Sequence, residues 1–125
     1  MYASIYLDGE AEEKEIVAAI NVVLRERAAY RTHPTVTGAV EVDVLHNDEA
    51  DKRRIAFPDG FLHFRYKLEV ECGDAAESEG HEIVAAILEM AWRRGWAAVA
   101  SCDFEDDLPR RGGYKCQDIP WPSEG

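Results

Sequence analysis

Six residues, Glu15-Ile16-Val17-Ala18-Ala19-Ile20, recur letter for letter as Glu82-Ile83-Val84-Ala85-Ala86-Ile87. Each copy opens a helix-like segment, and each follows a short strand-like run that ends in an acidic, Gly-containing loop. A strand plus a helix used twice in one small chain is the pattern of a two-fold α+β sandwich. The branched residues suit a helix face that grips a sheet, and the Ala pair lets the two backbones approach closely. The repeat therefore constrains architecture and predicts two equivalent helices. It carries no chemistry of its own.

The rest of the chain supplies the remaining elements. Tyr2 to Leu7 reads as a first strand, with Asp8-Gly9 as its turn and Asp8 as a helix cap. Glu10, Glu12 and Glu13 suit the positive end of the helix that follows, which runs to about Tyr30 with Ile16, Ile20, Val23 and Leu24 on one face. Arg25, Arg27 and Arg31 suit its C-terminal end, and Thr32-His33-Pro34 breaks it. A second strand is expected from Val36 to His46, where Val40, Val42 and Val44 alternate with Glu41 and Asp43. The polar stretch 47–60 either extends the hairpin or holds a short extra strand.

Phe61 to Cys72 is the clearest alternating segment. Leu62, Phe64, Tyr66, Leu68, Val70 and Cys72 point one way, and Phe61, His63, Arg65, Lys67, Glu69 and Glu71 the other. A sheet with one buried and one open face follows. After a loop with cap candidates Asp74 and Ser78, a second helix from about Glu79 to Arg94 buries Ile83, Ile87, Met90 and Ala91. It stops at Gly95 with two arginines at its negative end. Trp96 to Phe104 reads as the last strand. An aperiodic tail from about residue 105 is expected to wrap irregularly, pinned by Ile119 or Trp121.

The order β-α-β-β-α-β resembles the ferredoxin-like split βαβ sandwich. The resemblance implies an α+β two-layer fold, an antiparallel sheet of about four strands with two helices on one face. Within it the first and third strands are expected to be neighbours and parallel. At 125 residues the chain suits a single domain, 1–125.

Composition narrows the function classes. There are 14 Lys and Arg against 25 Asp and Glu, giving a formal net charge of −11. Such a surface repels phosphate backbones, so no nucleic-acid partner is expected, and a partner, if there is one, should be basic. No apolar run approaches the roughly 18 to 20 residues that cross a bilayer, so no membrane partner is expected. The N-terminus shows no basic segment followed by an apolar one, and the three cysteines are odd in number and far apart. Both features fit reduced thiols in a cytoplasmic setting. No Gly-rich phosphate loop, nucleophile-elbow serine or Cys-X-X-Cys occurs, and no cofactor or metal is expected.

Four constellations could carry function. Tyr2, Ser4 and Tyr6 would share the open sheet face with His63, Arg65, Lys67, Glu69 and Glu71. Tyrosine beside basic residues is the composition of an RNA-stacking platform, but the third strand lacks the outward aromatic pair. A face for a protein partner or a second subunit explains it equally well, and a solvated face with cross-strand ion pairs is the plainest explanation. Asp103, Glu105, Asp106 and Asp107 form an acidic run without the spacing of a calcium loop. His46-Asn47-Asp48-Glu49 with Asp51 could be half of a metal or acid-base site, but a surface turn is simpler. Cys102 sits beside carboxylates, which raise a thiol's pKa, and is read as a packing residue.

Two classes follow. The first is a non-catalytic protein-binding module, in the manner of an inhibitor or immunity protein that covers a basic enzyme's active site. Glu41, Asp43, Asp103, Glu105, Asp106 and Asp107 would be its contacts, an inference from class alone, since no diagnostic motif is present. The second is a small dimeric enzyme or ligand-binding domain that pairs open sheet faces. There Tyr6, His63 and Arg65 would orient a substrate.

Overall fold

The structure, a computed structural model, describes residues 2–28, 40–72 and 77–122. The expected helix end near Tyr30, the Thr32-His33-Pro34 breaker, the strand start at Val36 and the cap candidate Asp74 lie outside these residues. The elements are β1 (Tyr2–Asp8), α1 (Glu13–Ala28), β2 (Val40–His46), β3 (Tyr66–Cys72), α2 (Glu77–Arg93) and β4 (Ala97–Ser101). They form one four-stranded sheet in the order β2-β3-β1-β4, with every neighbouring pair antiparallel. This is the α+β arrangement expected, in an order consistent with the ferredoxin-like sandwich.

One expectation fails. β1 and β3 are neighbours, but antiparallel, with Tyr2 opposite Glu71 and Tyr6 opposite Lys67. A strand-helix-strand crossover makes β1 parallel to β2, and the chain then reverses, so β3 enters between them against both.

Both helices cover one sheet face. Ala3, Ile5, Leu7, Leu68, Val70, Ala98 and Ala100 meet Ile16, Ile20, Val23, Ile83, Val84, Ile87 and Leu88 in the main core. The two copies of the repeated hexad are not equivalent there. Ile16 and Ile83 are both buried, as are Ile20 and Ile87, yet Val17 is 38% exposed while Val84 is fully buried. The copies start two residues into α1 but five into α2, so the same letters lie at different depths along the two helices.

Helix ends follow local chemistry, with corrections. Asp8 is no helix cap: its carboxylate accepts the Gly9 N–H at 2.8 Å and the Arg65 N–H at 3.1 Å, tying the end of β1 to the approach to β3. Ser78 falls inside the first turn of α2. At the other end, Gly95 N–H donates to Trp92 O at 3.0 Å and Trp96 N–H to Ala91 O at 2.9 Å. This is a Schellman stop, and the φ of +81° at Gly95 is what a side chain would resist.

The connection from β2 to β3 contains no strand. Residues Asp59–His63 form a 3-10 helix, so Phe61 to Arg65 do not extend β3, and alternation holds only over Tyr66–Cys72. After β4 the tail makes two more short 3-10 turns, Glu105–Asp107 and Pro109–Gly113. Consecutive left-handed residues Arg110, Arg111 and Gly112 turn it back along β4.

The connection and the tail build a second core on the back of the sheet, the face away from the helices. Ile55, Phe64, Ala97, Val99 and Ile119 are buried there, with Tyr6, Phe61, Tyr114, Cys116 and Trp121 packed around them. Trp121 donates its indole N–H to Ile55 O at 2.6 Å and meets the rings of Phe64 and Phe57 edge-on at 4.9 and 5.1 Å. The expected pinning of the tail by Ile119 or Trp121 is therefore observed, with both taking part. At Gly60 the connection folds onto itself so closely that a Cβ would sit 2.2 Å from the Ile55 carbonyl carbon.

Candidate functional site

The second core divides the back face into two halves. Over β4 and the neighbouring end of β1 it is covered. Over β2, β3 and the start of β1 it is bare of described residues, and the strand registers place its side chains in cross-rows. One row is Glu41, Glu71 and Tyr2; the next is Asp43, Glu69, Ser4 and Ser101; the third is Leu45, Lys67 and Tyr6. Tyr2 and Leu45 are 53% and 43% exposed, two of several large apolar side chains that reach solvent.

Glu41 lies directly opposite Glu71, and Asp43 directly opposite Glu69. Like charges in such cross-strand positions repel. Lys67 offsets part of this: its ammonium is 3.6 Å from Glu69 Oε1 and 5.6 Å from the Tyr6 ring centroid. Burial alone would lower the Lys67 pKa, but Tyr6, Glu69 and Tyr2 outweigh it and hold it above the ordinary lysine value. Among the described residues, Glu41, Asp43 and Glu71 have no cationic partner.

His63 and Arg65, expected on this face, are elsewhere. His63 Nδ1 is 2.8 Å from Glu49 O within the connection. Arg65 reaches across to Ala11 O at 3.3 Å and lies 4.8 Å over the Tyr66 ring. Tyr6 is under Phe61, edge-on at 5.4 Å. The trio His63, Arg65 and Tyr6 is thus dispersed among packing roles and does not converge on one cavity.

The acidic run begins where β4 ends. Ser101 pairs with Ser4, so Asp103 onwards starts at the same end of the sheet as Tyr2, Glu71 and Glu41. Asp103, Asp106 and Asp107 are exposed, whereas Glu105 is half-buried and accepts the Cys102 N–H at 3.2 Å. Cys102 itself is half-buried and packs on the main core. Burial first, then Glu105 and Asp103, raise its thiol pKa against a lowering contact from the Phe104 backbone. That is the direction of a packing residue and not of a nucleophile.

The stretch from His46 to Asp51 is a structural clamp. Asn47 donates to Leu62 O and Phe64 O at 2.9 and 2.8 Å, and its own carbonyl caps Glu49 N–H at 3.0 Å. Asp51 receives the Arg53 N–H at 2.9 Å, and this bond is the main cause of its lowered pKa. No group of three or more His, Cys, Asp or Glu among the described residues could hold a metal ion. No helix among them is long and apolar enough to cross a membrane.

Two clefts flank the covered half. The larger, about 660 Å³, lies between the end of α2 and the tail, with Glu89, Trp92 and Arg93 on the helix side and Arg110, Asp118 and Pro120 on the tail side. Its two cations and two carboxylates balance. The smaller, about 290 Å³, is lined by Asp59, Phe61, Leu62, Ala100, Glu105 and Tyr114. Tyr114 donates its hydroxyl to Asp59 Oδ1 at 2.6 Å, and this bond, then burial, then Asp59 and Glu105 as charges, raise the phenol pKa. Of these lining residues only Glu105 stood out in the sequence. Asp59 and Tyr114 are 55 positions apart, and no local pattern joins them.

No known family model, curated protein or solved structure matches this chain.

Proposed function

We propose that the protein is a non-catalytic binding module that engages a basic protein partner through the bare half of its sheet. The observation that carries this reading is the pair of directly opposed carboxylates, Glu41 against Glu71 and Asp43 against Glu69, flanked by exposed Tyr2 and Leu45. An isolated fold gains nothing from like charges at adjacent sheet positions. A cationic partner neutralises them and covers the two apolar side chains, which turns a local cost into complementarity.

Asp103, Asp106 and Asp107, at the same end of the sheet, extend the surface and strengthen long-range attraction of a basic partner. A cytoplasmic inhibitor or immunity-like cover for a basic enzyme is the specific form this reading favours. The dispersal of Tyr6, His63 and Arg65 removes the geometric support for a substrate-orienting trio on a dimeric sheet face.

The test is comparative capture. The wild-type protein and the double reversal Glu41→Lys/Asp43→Lys are immobilised and exposed to an extract of the native host at low and high salt. A basic protein held by wild type, released by salt and absent from the reversal is the expected result. Equal capture by both proteins, or retention only of acidic proteins, overturns the reading.

A further inference from the structure

The smaller cleft combines features that the larger one lacks. Two aromatic rings, Phe61 and Tyr114, stand nearly perpendicular, with centroids 5.6 Å apart and an interplanar angle of 69°. Two carboxylates, Asp59 and Glu105, share the lining with them, and no lining residue is a cation. Each carboxylate has one oxygen engaged within the protein: Asp59 Oδ1 by the Tyr114 hydroxyl and Glu105 Oε1 by the Cys102 N–H. Each therefore keeps its other oxygen for a ligand.

Chemistry of this kind selects cations. Aromatic faces attract ammonium and guanidinium groups through the ring quadrupole, and carboxylates add charge-assisted hydrogen bonds. The chain itself illustrates it, since Lys115, which does not line the cleft, holds its ammonium 5.3 Å from the Tyr114 ring centroid. At about 290 Å³ the cleft falls at the lower limit of sites for drug-sized ligands. It suits one long side chain. A planar guanidinium with five donors satisfies two carboxylates and an aromatic wall better than a compact ammonium does.

We infer that the cleft bounded by Asp59, Phe61, Glu105 and Tyr114 is a receptor for a single arginine side chain of the basic partner. The identity of the donor rests on the binding function proposed above; the cation selectivity of the cleft does not. Phe61 meets Tyr6 edge-on, and Tyr6 belongs to the same cross-row as Leu45 and Lys67, so the cleft and the acidic half-face lie on one side of the molecule. A partner that covers the face can therefore insert one arginine at its margin, as an anchor does in a central interface pocket.

The experiment uses the full chain, labelled with 15N, titrated with N-acetyl-arginine amide, its lysine counterpart and the neutral isostere N-acetyl-citrulline amide. Expected are saturable amide shifts at residues 59–62, 105 and 114 with the arginine probe, weaker ones with lysine and none with citrulline. Asp59→Asn and Glu105→Gln keep an acceptor oxygen for Tyr114 and Cys102, and each should weaken the arginine probe roughly fivefold. Glu26→Gln should leave its affinity within about twofold, because that exposed carboxylate stands on α1, outside the cleft.

Equal shifts with citrulline, or arginine shifts confined to residues 41–45 and 69–71, overturn the proposal, and the wild-type titration alone decides this if a variant fails to fold. The two readings fail separately. A silent cleft with partner capture still lost in the Glu41→Lys/Asp43→Lys reversal sinks the receptor and spares the binding face. A saturable cleft with capture unaffected by the reversal does the opposite.

Discussion

The two halves of the back face are built from the same strands and treated in opposite ways. Over β4 the sheet is sealed by Phe64, Ile55, Ile119 and Trp121, and Ala97 and Val99 are buried beneath them. Over β2, β3 and the start of β1 it presents four carboxylates, a lysine and two exposed apolar side chains. The covered half behaves as a core in which each side chain contributes to stability. The bare half contains repulsion that the fold tolerates without needing it. The contrast teaches that one face of one sheet carries a packed core over β4 and opposed charges over β2 and β3.

The sharpest way to break this contrast is Phe64→Ala. Phe64 is fully buried, and its removal should destabilise the protein by about 3 to 5 kcal/mol in urea unfolding. A loss below about 1 kcal/mol would mean that the covering segments are not a core at all. Trp121→Phe keeps most of the ring packing but deletes the indole bond to Ile55 O, so a loss of about 1 kcal/mol is expected from the same measurement.

On the bare half the sign should reverse. Glu41→Gln relieves the repulsion from Glu71 and should stabilise the isolated protein by a few tenths of a kcal/mol while weakening partner binding. A loss of stability there would place Glu41 in a structural role and weaken the division of labour. The smallest effect belongs to the margin between the halves. The raised phenol pKa of Tyr114 means the folded state favours the neutral hydroxyl. Its contribution is present below the unfolded tyrosine value of roughly 10 and is lost as pH rises through the higher folded value. Tyr114→Phe should thus remove this contribution below about pH 10 and flatten the stability profile above it, as followed by denaturation across that range.

How much of this was legible in the sequence depends on periodicity. The alternation over Tyr66–Cys72 and the helical spacing of Ile16, Ile20, Ile83 and Ile87 fixed the sheet-and-helix layer, because side-chain direction follows directly from backbone period. The hexad misled in one respect, since identical letters entered helices at different offsets, and Val17 and Val84 met different surroundings. The covering segments were legible only in the pinning by Ile119 and Trp121, because residues 47–60 and 105–122 have no period, the alternation over 61–65 belongs to a 3-10 turn and its exit, and the bond from Trp121 to Ile55 spans 66 positions.

One local sign of that cover was available. Ala97-Ala98-Val99-Ala100 is continuously apolar, and a strand without alternation is a strand buried on both faces. The same logic applies to the site. Glu41 and Asp43 were readable from alternation in β2, whereas their direct opposition to Glu71 and Glu69 is a matter of register. The small cleft joins Asp59, Glu105 and Tyr114 from three aperiodic stretches, so only the folded chain brings them together.

The second core also sets an order of events. Ala97 and Val99 supply part of it, and among the described residues β4 pairs only with β1, a partner more than eighty positions earlier in the chain. The cover therefore cannot close until the last strand has docked, and contacts of such long separation are slow to form. Until then Phe64 and Tyr6 lack the cover that Val99, Ile119 and Trp121 complete. A sheet back without its cover is a surface on which another chain can pair, and the like charges along β2 and β3 oppose the docking of a second copy there.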